Sequence, residues 1–242
     1  MSEPRVSVVV PAYNEGEQIV SCLQRLLAAI TLPCEVLVVY DRPTDTTALP
    51  AQRCAAADPR VRPTLNQIRP GPAAAILTGI RQARAPVVVV TMADGSDQPQ
   101  QIDELARLVE EGAVVAAASR YMRGGRQLGG PMLKGMISRA AGISLHWLGR
   151  VGTHDATNSF KAYSRQFLEE AEVESDAGFE MGIEMVAKAK RRGRRVAEIP
   201  TTWSDRTTGQ SNFKVGQWIP RYLHWYLVAL LPSHRPTPTP GA

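Results

Sequence analysis

Residues 6–15 read VSVVVPAYNE, an apolar run that ends in a proline, an aromatic ring, an amide and a carboxylate. The apolar part, Val6–Val10, lacks the regular polar alternation of a strand that has one face in water. It therefore predicts a strand covered on both faces, as in parallel sheets. Polar groups directly after such a strand lie at its carboxyl end, where open α/β sheets bind ligands. The stretch thus predicts both the fold and the edge that carries the site.

Three further runs have the same apolar character, and helical patterns separate them. These predicted strands are Glu35–Tyr40, Pro86–Met92 and Ala113–Ser119. Apolar residues recur with helical spacing in Glu15–Ile30, Ala73–Ala83 and Gln100–Glu111. Because strands alternate with helices, the sequence predicts an α/β fold with a mostly parallel sheet flanked by helices.

The pattern changes after Arg120. Paired glycines at 124–125 and 129–130 predict a mobile loop. The next predicted helices and strands are Met132–Leu148, Thr157–Ser164, Phe179–Gly193 and Ala197–Trp203, followed by a polar loop over 204–216. We assign residues 1–216 to one domain, 217–231 to a short apolar and aromatic helix, and 232–242 to a disordered tail rich in proline and threonine.

The composition suits one large domain. The chain has 242 residues, of which 44% are hydrophobic, and this is enough for a single core. Its net charge of +5 indicates an anionic partner, without choosing between nucleotide, nucleic acid and lipid phosphate. Three isolated cysteines without a signal peptide predict reduced thiols in a cytoplasmic protein.

Polar groups follow four of the predicted strands. Residues 11–15 read PAYNE, 41–45 read DRPTD, 93–97 read ADGSD and 119–121 read SRY. At a single strand end, the preference of Asp and Asn for turns and helix caps explains such residues. At four strand ends of one sheet, they indicate a binding site.

These groups suit the binding of a sugar diphosphate. A divalent cation held by one or two carboxylates neutralises the charge of the departing diphosphate, and Asp94 is the first candidate ligand, with Asp97 as the second. Asp41 is a candidate acceptor of a hydrogen bond from a nucleobase or ribose. The backbone amides around Gly71, which opens a predicted helix, are candidates for contact with a phosphate or ribose.

Six groups of residues, in order along 5–216, resemble motifs of the family-2 glycosyltransferases. Within that family they are most similar to the branch of dolichol-phosphate mannose and polyprenyl-phosphate sugar synthases. The groups are VVVPAYNE (8–15), RPGPA (69–73), ASRY (118–121), DATNSFK (155–161), GFE with EIP (178–180 and 198–200) and RTTGQS (206–211). Their order and spacing make the resemblance specific for the fold and the superfamily.

The resemblance implies a GT-A fold and an inverting transfer of a hexose from a UDP- or GDP-sugar. It makes a polyprenyl phosphate the candidate acceptor and Mg²⁺ or Mn²⁺ the candidate cofactor. The donor residues that it implies are Pro11, Tyr13, Glu15, Asp41, Gly71, Ala93 and Asp94. The acceptor residues that it implies are Arg120, Lys134 and Ser138. Besides Asp94 and Arg120, the candidate catalytic residues are Arg206, which would close over phosphate charge, and Asp155.

One departure from the family pattern concerns the cation. Met92-Ala93-Asp94 stands where the family has D-x-D, so one carboxylate is missing and we expect weaker metal binding. Asp97 is the candidate substitute. The same loss supports a second hypothesis, a non-catalytic nucleotide-sugar-binding protein of the same fold.

The sequence leaves the acceptor open between a phosphate and a hydroxyl. A phosphate monoester is already an anion and needs cations to position it, whereas a hydroxyl needs a general base. For a hydroxyl acceptor, Asp155 is the first candidate base and Glu184 the second. We interpret His154, beside Asp155, as a surface residue.

Two segments concern other partners. We interpret the basic run over 188–195 as a solvated helix face, and no motif indicates binding of nucleic acid. The helix over 217–231 is too short to span a bilayer, and it either lies in the membrane interface or docks on the domain. If the helix over 217–231 lies in the interface, the protein makes peripheral contact with the inner membrane face. The same apolar helix makes a homo-oligomer a further hypothesis.

Overall fold

A seven-stranded sheet with helices on both faces organises the chain, in a computed structural model that describes residues 3–205 and 215–232. The strands of these residues are β1 (Val6–Pro11), β2 (Cys34–Tyr40), β3 (Val61–Leu65), β4 (Val87–Val90), β5 (Val115–Ser119), β6 (Arg126–Leu128), β7 (Lys161–Ser164), β8 (Val196–Pro200) and β9 (Thr202–Ser204). Their α-helices are α1 (Gln18–Ala29), α2 (Ala48–Ala57), α3 (Pro72–Gln82), α4 (Ile102–Glu110), α5 (Met132–Ser144), α6 (Arg165–Ala171), α7 (Met181–Arg191) and α8 (Val215–Leu230). A π-helix, Leu145–Gly149, continues α5.

The strand order confirms the predicted, mostly parallel sheet. The order is β3-β2-β1-β4-β7-β5-β8, and β1 pairs in parallel with both β2 and β4. Only β7 runs against its neighbours β4 and β5 in this sheet. A parallel pair needs a crossover connection, and the helices between the strands provide it.

Two hydrophobic clusters cover the two faces of the sheet. Side chains alternate along β1, so Val8 belongs to one cluster and Val9 to the other. The first cluster contains buried residues of α1, α2 and α4, and the second contains residues of α3, α6, α7 and α8. Because both faces are covered, the apolar runs without alternation form the interior strands, as the sequence predicted.

Several elements escaped the sequence analysis for identifiable reasons. Strand β3 contains Pro63, which a strand tolerates at the edge of a sheet, and β3 is an edge strand. Helix α2 has five alanines among its ten residues, so its apolar pattern is weak. The predicted single strand Ala197–Trp203 is two strands, and the second of them, β9, pairs with β6 inside the segment expected to be a loop.

Helix α8 begins two residues before the predicted segment and packs on the domain through one face. Trp225 and Ala229 are buried in the second cluster, while Leu223 and Leu227 remain about half exposed. Among the residues that the structure describes, no helix is both long enough and apolar enough to cross a bilayer. The predicted tail lies outside the described residues, apart from its first residue, 232.

Candidate functional site

The carboxyl ends of β1, β2, β4 and β5 meet at one edge of the sheet. Since β7 runs in the opposite direction, it begins at this same edge, where Lys161 pairs with Val90 and Ala117. The loop that precedes β7, with Asp155, therefore reaches the edge as well. The topology thus brings together all four predicted strand ends and the DATNSFK segment (155–161).

The turn after β1 is fixed by the loop after β2. The Asn14 amide donates to Asp45 Oδ1 at 3.1 Å, and the Glu15 amide donates to Thr47 Oγ1 at 3.0 Å. Asn14 has a φ of 54°, in the left-handed region that asparagine tolerates better than most residues. Tyr13 is 59% exposed on this turn. The sequence analysis gave Asp45 no role, yet this buried carboxylate orients the predicted donor turn.

Asp41 organises the start of α3. Its Oδ1 accepts from Asn66 Nδ2 at 2.8 Å, and its Oδ2 accepts from the Gly71 amide at 2.9 Å. Gly71 has φ 126° and ψ 157°, a conformation that is accessible essentially to glycine alone. The Gly71 amide, a candidate for phosphate contact, therefore already donates to Asp41. This geometry makes Asp41 the residue that holds the donor-side loop in shape.

Asp94 and Asp97 have different environments although they are three residues apart. Asp97 is buried, and its Oδ2 accepts from Thr91 Oγ1 at 2.9 Å and from the Met92 amide at 3.1 Å. Burial raises the pKa of Asp97 to about 6. Asp94 is half-buried, and its Oδ1 accepts from the Ser96 amide at 3.1 Å. The geometry favours Asp94 over Asp97 as a cation ligand, because Asp97 closes the turn from inside.

Cys22 of α1 lies within the electrostatic reach of these carboxylates. The pKa of its thiol is raised to about 12, chiefly by burial; Arg25 lowers it, and Asp94, Glu15 and Asp97 contribute to the rise. Three carboxylates from the β1 and β4 strand ends, and the Arg25 guanidinium, therefore act on one side chain of α1. Carboxylate oxygens are the ligands that Mg²⁺ accepts in proteins.

Arg120 and Asp155 form a buried ion pair with two side-chain hydrogen bonds. Arg120 Nε donates to Asp155 Oδ2 at 2.7 Å, and Arg120 Nη2 donates to Asp155 Oδ1 at 2.9 Å. The Arg120 backbone amide donates to Oδ2 at 3.0 Å. Asp155 is fully buried, and the Arg120 side chain is 12% exposed. Burial lowers the pKa of Arg120, but the Asp155 carboxylate raises it by more, so the guanidinium stays charged.

Helix α5 brings Ser138 to the same group. Ser138 Oγ accepts from Arg120 Nη2 at 3.2 Å and lies 2.6 Å from Thr157 Oγ1. The structure thus unites two of the three predicted acceptor residues. The third, Lys134, has its backbone in α5, but its side chain is outside what the structure describes. Arg206 lies outside the described residues altogether.

Two shallow depressions lie along α5 beside this group, and because Met136 and Arg139 line both, we describe them as the two parts of one groove. Its first part, of about 270 Å³, is lined by three arginines, Arg120, Arg126 and Arg139, and by apolar groups that include Met132 and Met136. Its second part, of about 410 Å³, continues from Met136 and Arg139 and is lined by Ala140, Ile143, Ser144 and Trp147. The sequence analysis did not single out Arg126 and Arg139. Arg139 directly follows Ser138, and this was the one signal that could have indicated it.

Lys161 supports the Asp155 loop from within the core. Its side chain is fully buried, and Nζ donates to the carbonyl oxygens of Ala156, at 3.2 Å, and Asn158. Burial lowers the pKa of Lys161 to about 7, although the Asp155 carboxylate raises it in part. Lys161, at the end of the DATNSFK segment, therefore stabilises the backbone of the loop that carries Asp155.

The lowered pKa of Lys161 predicts a pH-dependent stability. Between about pH 7 and the ordinary lysine pKa of 10.5, the unfolded chain holds a proton on Lys161 that the folded protein has released. The contribution of Lys161 to stability therefore rises with pH in this window, by at most about 1.4 kcal/mol per pH unit. Lys161→Met should remove this rise, as measured by urea unfolding from pH 7 to 10. Curves of equal slope for the wild type and Lys161→Met would contradict the prediction.

The fold and the composition of this edge define a GT-A-type glycosyltransferase. Residues 7–171 match the model of Glycosyl transferase family 2, and the chain belongs to this family. This confirms the resemblance that the sequence motifs indicated. Because the relatives described next carry the names of sugar-transferring enzymes, the chain is an enzyme, which argues against the hypothesis of a non-catalytic binding protein.

Similar proteins span most of the chain. Polyprenol monophosphomannose synthase of Mycolicibacterium smegmatis is 33% identical over 88% of this chain and 86% of its own. Undecaprenyl-phosphate mannosyltransferase of Micrococcus luteus is 31% identical over 93% and 95%. Among solved structures, glucosyl-3-phosphoglycerate synthase from Mycobacterium tuberculosis, in complex with Mn²⁺, UDP and glucosyl-3-phosphoglycerate, superposes with a TM-score of 0.69. It covers 97% of this chain and 82% of its own at 18% identity, which supports the fold alone.

Proposed function

We propose that this enzyme transfers a hexose, with inversion at the anomeric carbon, from a UDP- or GDP-sugar to a polyprenyl phosphate. The relatives are named for mannose transfer to polyprenyl carriers, so mannose is the first sugar to test. The choice of a phosphate acceptor rests on one observation about the two candidate general bases, Asp155 and Glu184. Both carboxylates already accept hydrogen bonds from other groups of the protein.

Neither candidate base is available for a hydroxyl acceptor. Both oxygens of Asp155 accept hydrogen bonds from Arg120. Glu184 is fully buried and accepts from the amides of Glu174 and Ser175, at 2.7 and 2.8 Å, and from Lys188 Nζ at 2.7 Å. A phosphate acceptor needs no base, because it is already ionised near neutral pH. It needs the cations that the groove along α5 provides.

The groove suits the two parts of a polyprenyl phosphate. Arg120, Arg126 and Arg139 line its first part and can bind phosphate oxygens through several N–H groups. Ile143 and Trp147 line its second part and offer apolar surface to a prenyl chain. Asp155 then acts as a positioning residue, since it holds the Arg120 guanidinium in place and does not itself contact the acceptor.

The donor would bind at the ends of β1, β2 and β4. Asp94 would hold Mg²⁺ or Mn²⁺ with the diphosphate oxygens, a ligand set that these cations accept in nucleotide sites. When bound, the cation neutralises charge on the departing nucleoside diphosphate. Met92 replaces one carboxylate of the family pattern, and Asp97 closes the turn from inside. We therefore assign the cation to Asp94 at this strand end. Tyr13, Glu15 and Asp41 would surround the nucleoside.

A direct assay distinguishes the acceptor classes. The enzyme is incubated with GDP-mannose, UDP-glucose and related donors, with Mg²⁺ or Mn²⁺, and with either a polyprenyl phosphate or the polyprenol of the same length. We expect glycolipid from the phosphate and none from the alcohol, and NMR of the product should show inversion. Equal transfer to the alcohol, or no transfer to the phosphate with any donor, would overturn the proposal.

We further propose that the enzyme contacts a membrane surface through one apolar face. This face is formed by side chains that are each about half exposed or more: Met132, Leu133, Met136, Ile137, Trp147, Leu148, Ile219, Leu223, Leu227 and Leu231. The hydroxyls of Ser144, on α5, and Tyr226, on α8, lie 2.9 Å apart. The two helices that carry most of these exposed side chains are therefore in contact. Large exposed apolar surfaces mark interaction sites, and Met132, Met136 and Trp147 of this set also line the groove along α5.

The double variant Leu148→Asp/Leu223→Asp should weaken binding to liposomes that contain anionic lipid by at least about tenfold, because it places two charges where apolar side chains would enter the interface. Flotation on a density gradient measures this. Leu49→Asp is the matched control, since Leu49 is 63% exposed on α2, which packs on the opposite face of the sheet. If the double variant and the control float equally well, α8 serves only to dock on the domain.

A further inference from the structure

Two histidines and a glutamate meet behind the ion pair, outside the donor and acceptor groups. His146 lies in the π-helix, His154 precedes Asp155, and Glu198 lies on β8. All three are half-buried. The interpretation of His154 as a plain surface residue was wrong, because the fold places it against His146 and against Glu198, a carboxylate that is distant in the sequence.

The three side chains are close and partly held in place. The imidazole rings of His146 and His154 stack with centroids 3.5 Å apart, and His154 Nδ1 lies 2.6 Å from Glu198 Oε1. Glu198 Oε2 accepts from Thr153 Oγ1 at 3.0 Å and from the His154 amide at 2.8 Å. One ligand atom from each of the three residues lies within 4.8 Å of the others.

His146 contributes a buried polar atom to this cluster. Within residues 3–205 and 215–232, His146 Nδ1 makes no hydrogen bond of normal geometry. A buried polar atom left unpaired is destabilising, by roughly 1–3 kcal/mol, and such atoms are few in native proteins. The π-helix that carries His146 is also a rare conformation, and short π-helical segments are frequent at functional sites.

We propose that His146, His154 and Glu198 form a binding site for a divalent transition metal ion of the Zn²⁺ class. Two imidazole nitrogens and one carboxylate oxygen are a ligand set that suits Zn²⁺, with a fourth position open to water. Bonds of about 2.0–2.2 Å place tetrahedral ligands roughly 3.3–3.5 Å apart. His154 Nδ1 and Glu198 Oε1, which are 2.6 Å apart, therefore have to separate, and the stacked rings have to turn toward one ion. Mg²⁺ prefers oxygen ligands alone, which separates this site chemically from Asp94.

The site connects the lipid-side helices to the catalytic loop. Helix α5 packs directly on this loop, because a Cβ atom at Gly142 would lie only 2.2 Å from the His154 carbonyl oxygen. The next residue, Asp155, holds Arg120. A metal ion bound here would tie the π-helix to β8 and would stiffen the loop that carries Asp155. The proposed site therefore has a structural role that does not depend on the identity of the acceptor.

Metal binding can be measured without any assay of activity. The metal-free full-length protein is titrated with ZnCl₂ by calorimetry and with CoCl₂ by absorption spectroscopy, in excess MgCl₂. We expect one equivalent of Zn²⁺ to bind and to raise the melting temperature of the protein. Bound Co²⁺ should give visible absorption bands with the intensity typical of four-coordinate Co²⁺. His146→Gln and Glu198→Gln should each weaken binding at least about tenfold. His224→Gln, a change at an exposed histidine of α8, is the matched control and should bind like the wild type.

The two variants keep the test decisive if one of them folds poorly. A Cys54→Ser background removes the half-buried thiol as a competing ligand. The proposal is overturned if the wild type binds no Zn²⁺ in this range, or if His146→Gln and Glu198→Gln bind Zn²⁺ as tightly as His224→Gln.

Discussion

Asp155→Asn is expected to lower the free energy of unfolding by about 3–5 kcal/mol, because it leaves the Arg120 guanidinium buried without its charged partner. Asparagine keeps the shape of aspartate and one acceptor oxygen, so the change removes mainly the charge. The pair is buried on both sides, with Asp155 fully covered and the Arg120 side chain 12% exposed. Water therefore cannot replace the lost partner at low cost.

The same variant should lower the rate of sugar transfer by roughly 10²–10³-fold, as expected when a preorganised charge near the reacting groups loses its orientation. Urea unfolding and initial rates with polyprenyl phosphate measure the two effects. Glu169→Gln is the matched control, since Glu169 pairs with Arg165 on the exposed surface of α6, where such pairs contribute about 0–1 kcal/mol. A loss of stability no larger than that of Glu169→Gln would show that the pair contributes little.

The parallel core could be predicted because its signal is local. Apolar runs such as Val6–Val10 show directly that both faces of a strand are covered, and β1 is buried throughout. The strand ends followed from the same reasoning, because parallel strands end at one edge of a sheet. Strand β3 and helix α2 carried weaker local signals, since an edge strand with a proline and a helix of alanines both lack a clear apolar pattern.

The partners of the site residues could not be predicted, because they depend on long-range contacts. Arg120 and Asp155 are 35 residues apart, and the sequence analysis gave them separate roles. Only the antiparallel insertion of β7 between β4 and β5 brings them together. Likewise, the sequence made Asp97 the second candidate ligand after Asp94, whereas the fold of residues 91–97 turns Asp97 toward Thr91 and the Met92 amide.

Asp94→Asn is expected to lower transfer by roughly 10²–10³-fold and to remove the dependence of donor binding on Mg²⁺ or Mn²⁺. The expected effect is large because Met92 occupies the position of a second carboxylate, so Asp94 is the only carboxylate in residues 92–94. Binding of UDP and GDP, measured by calorimetry in Mn²⁺ and in chelator, tests this directly. Glu104→Gln, a change at an exposed carboxylate of α4, is the matched control.

Asp97→Asn separates a cation ligand from a carboxylate that closes the turn. Its oxygen already accepts from Thr91 Oγ1 and the Met92 amide, so we expect the variant to lose stability while donor binding still depends on the cation. If Asp97→Asn instead abolishes that dependence and Asp94→Asn preserves it, the two carboxylates have the reverse roles. If the wild-type protein binds both nucleotides equally well in chelator and in Mn²⁺, the role of Asp94 must be electrostatic repulsion or turn formation, because a ligand of the donor cation would show the difference.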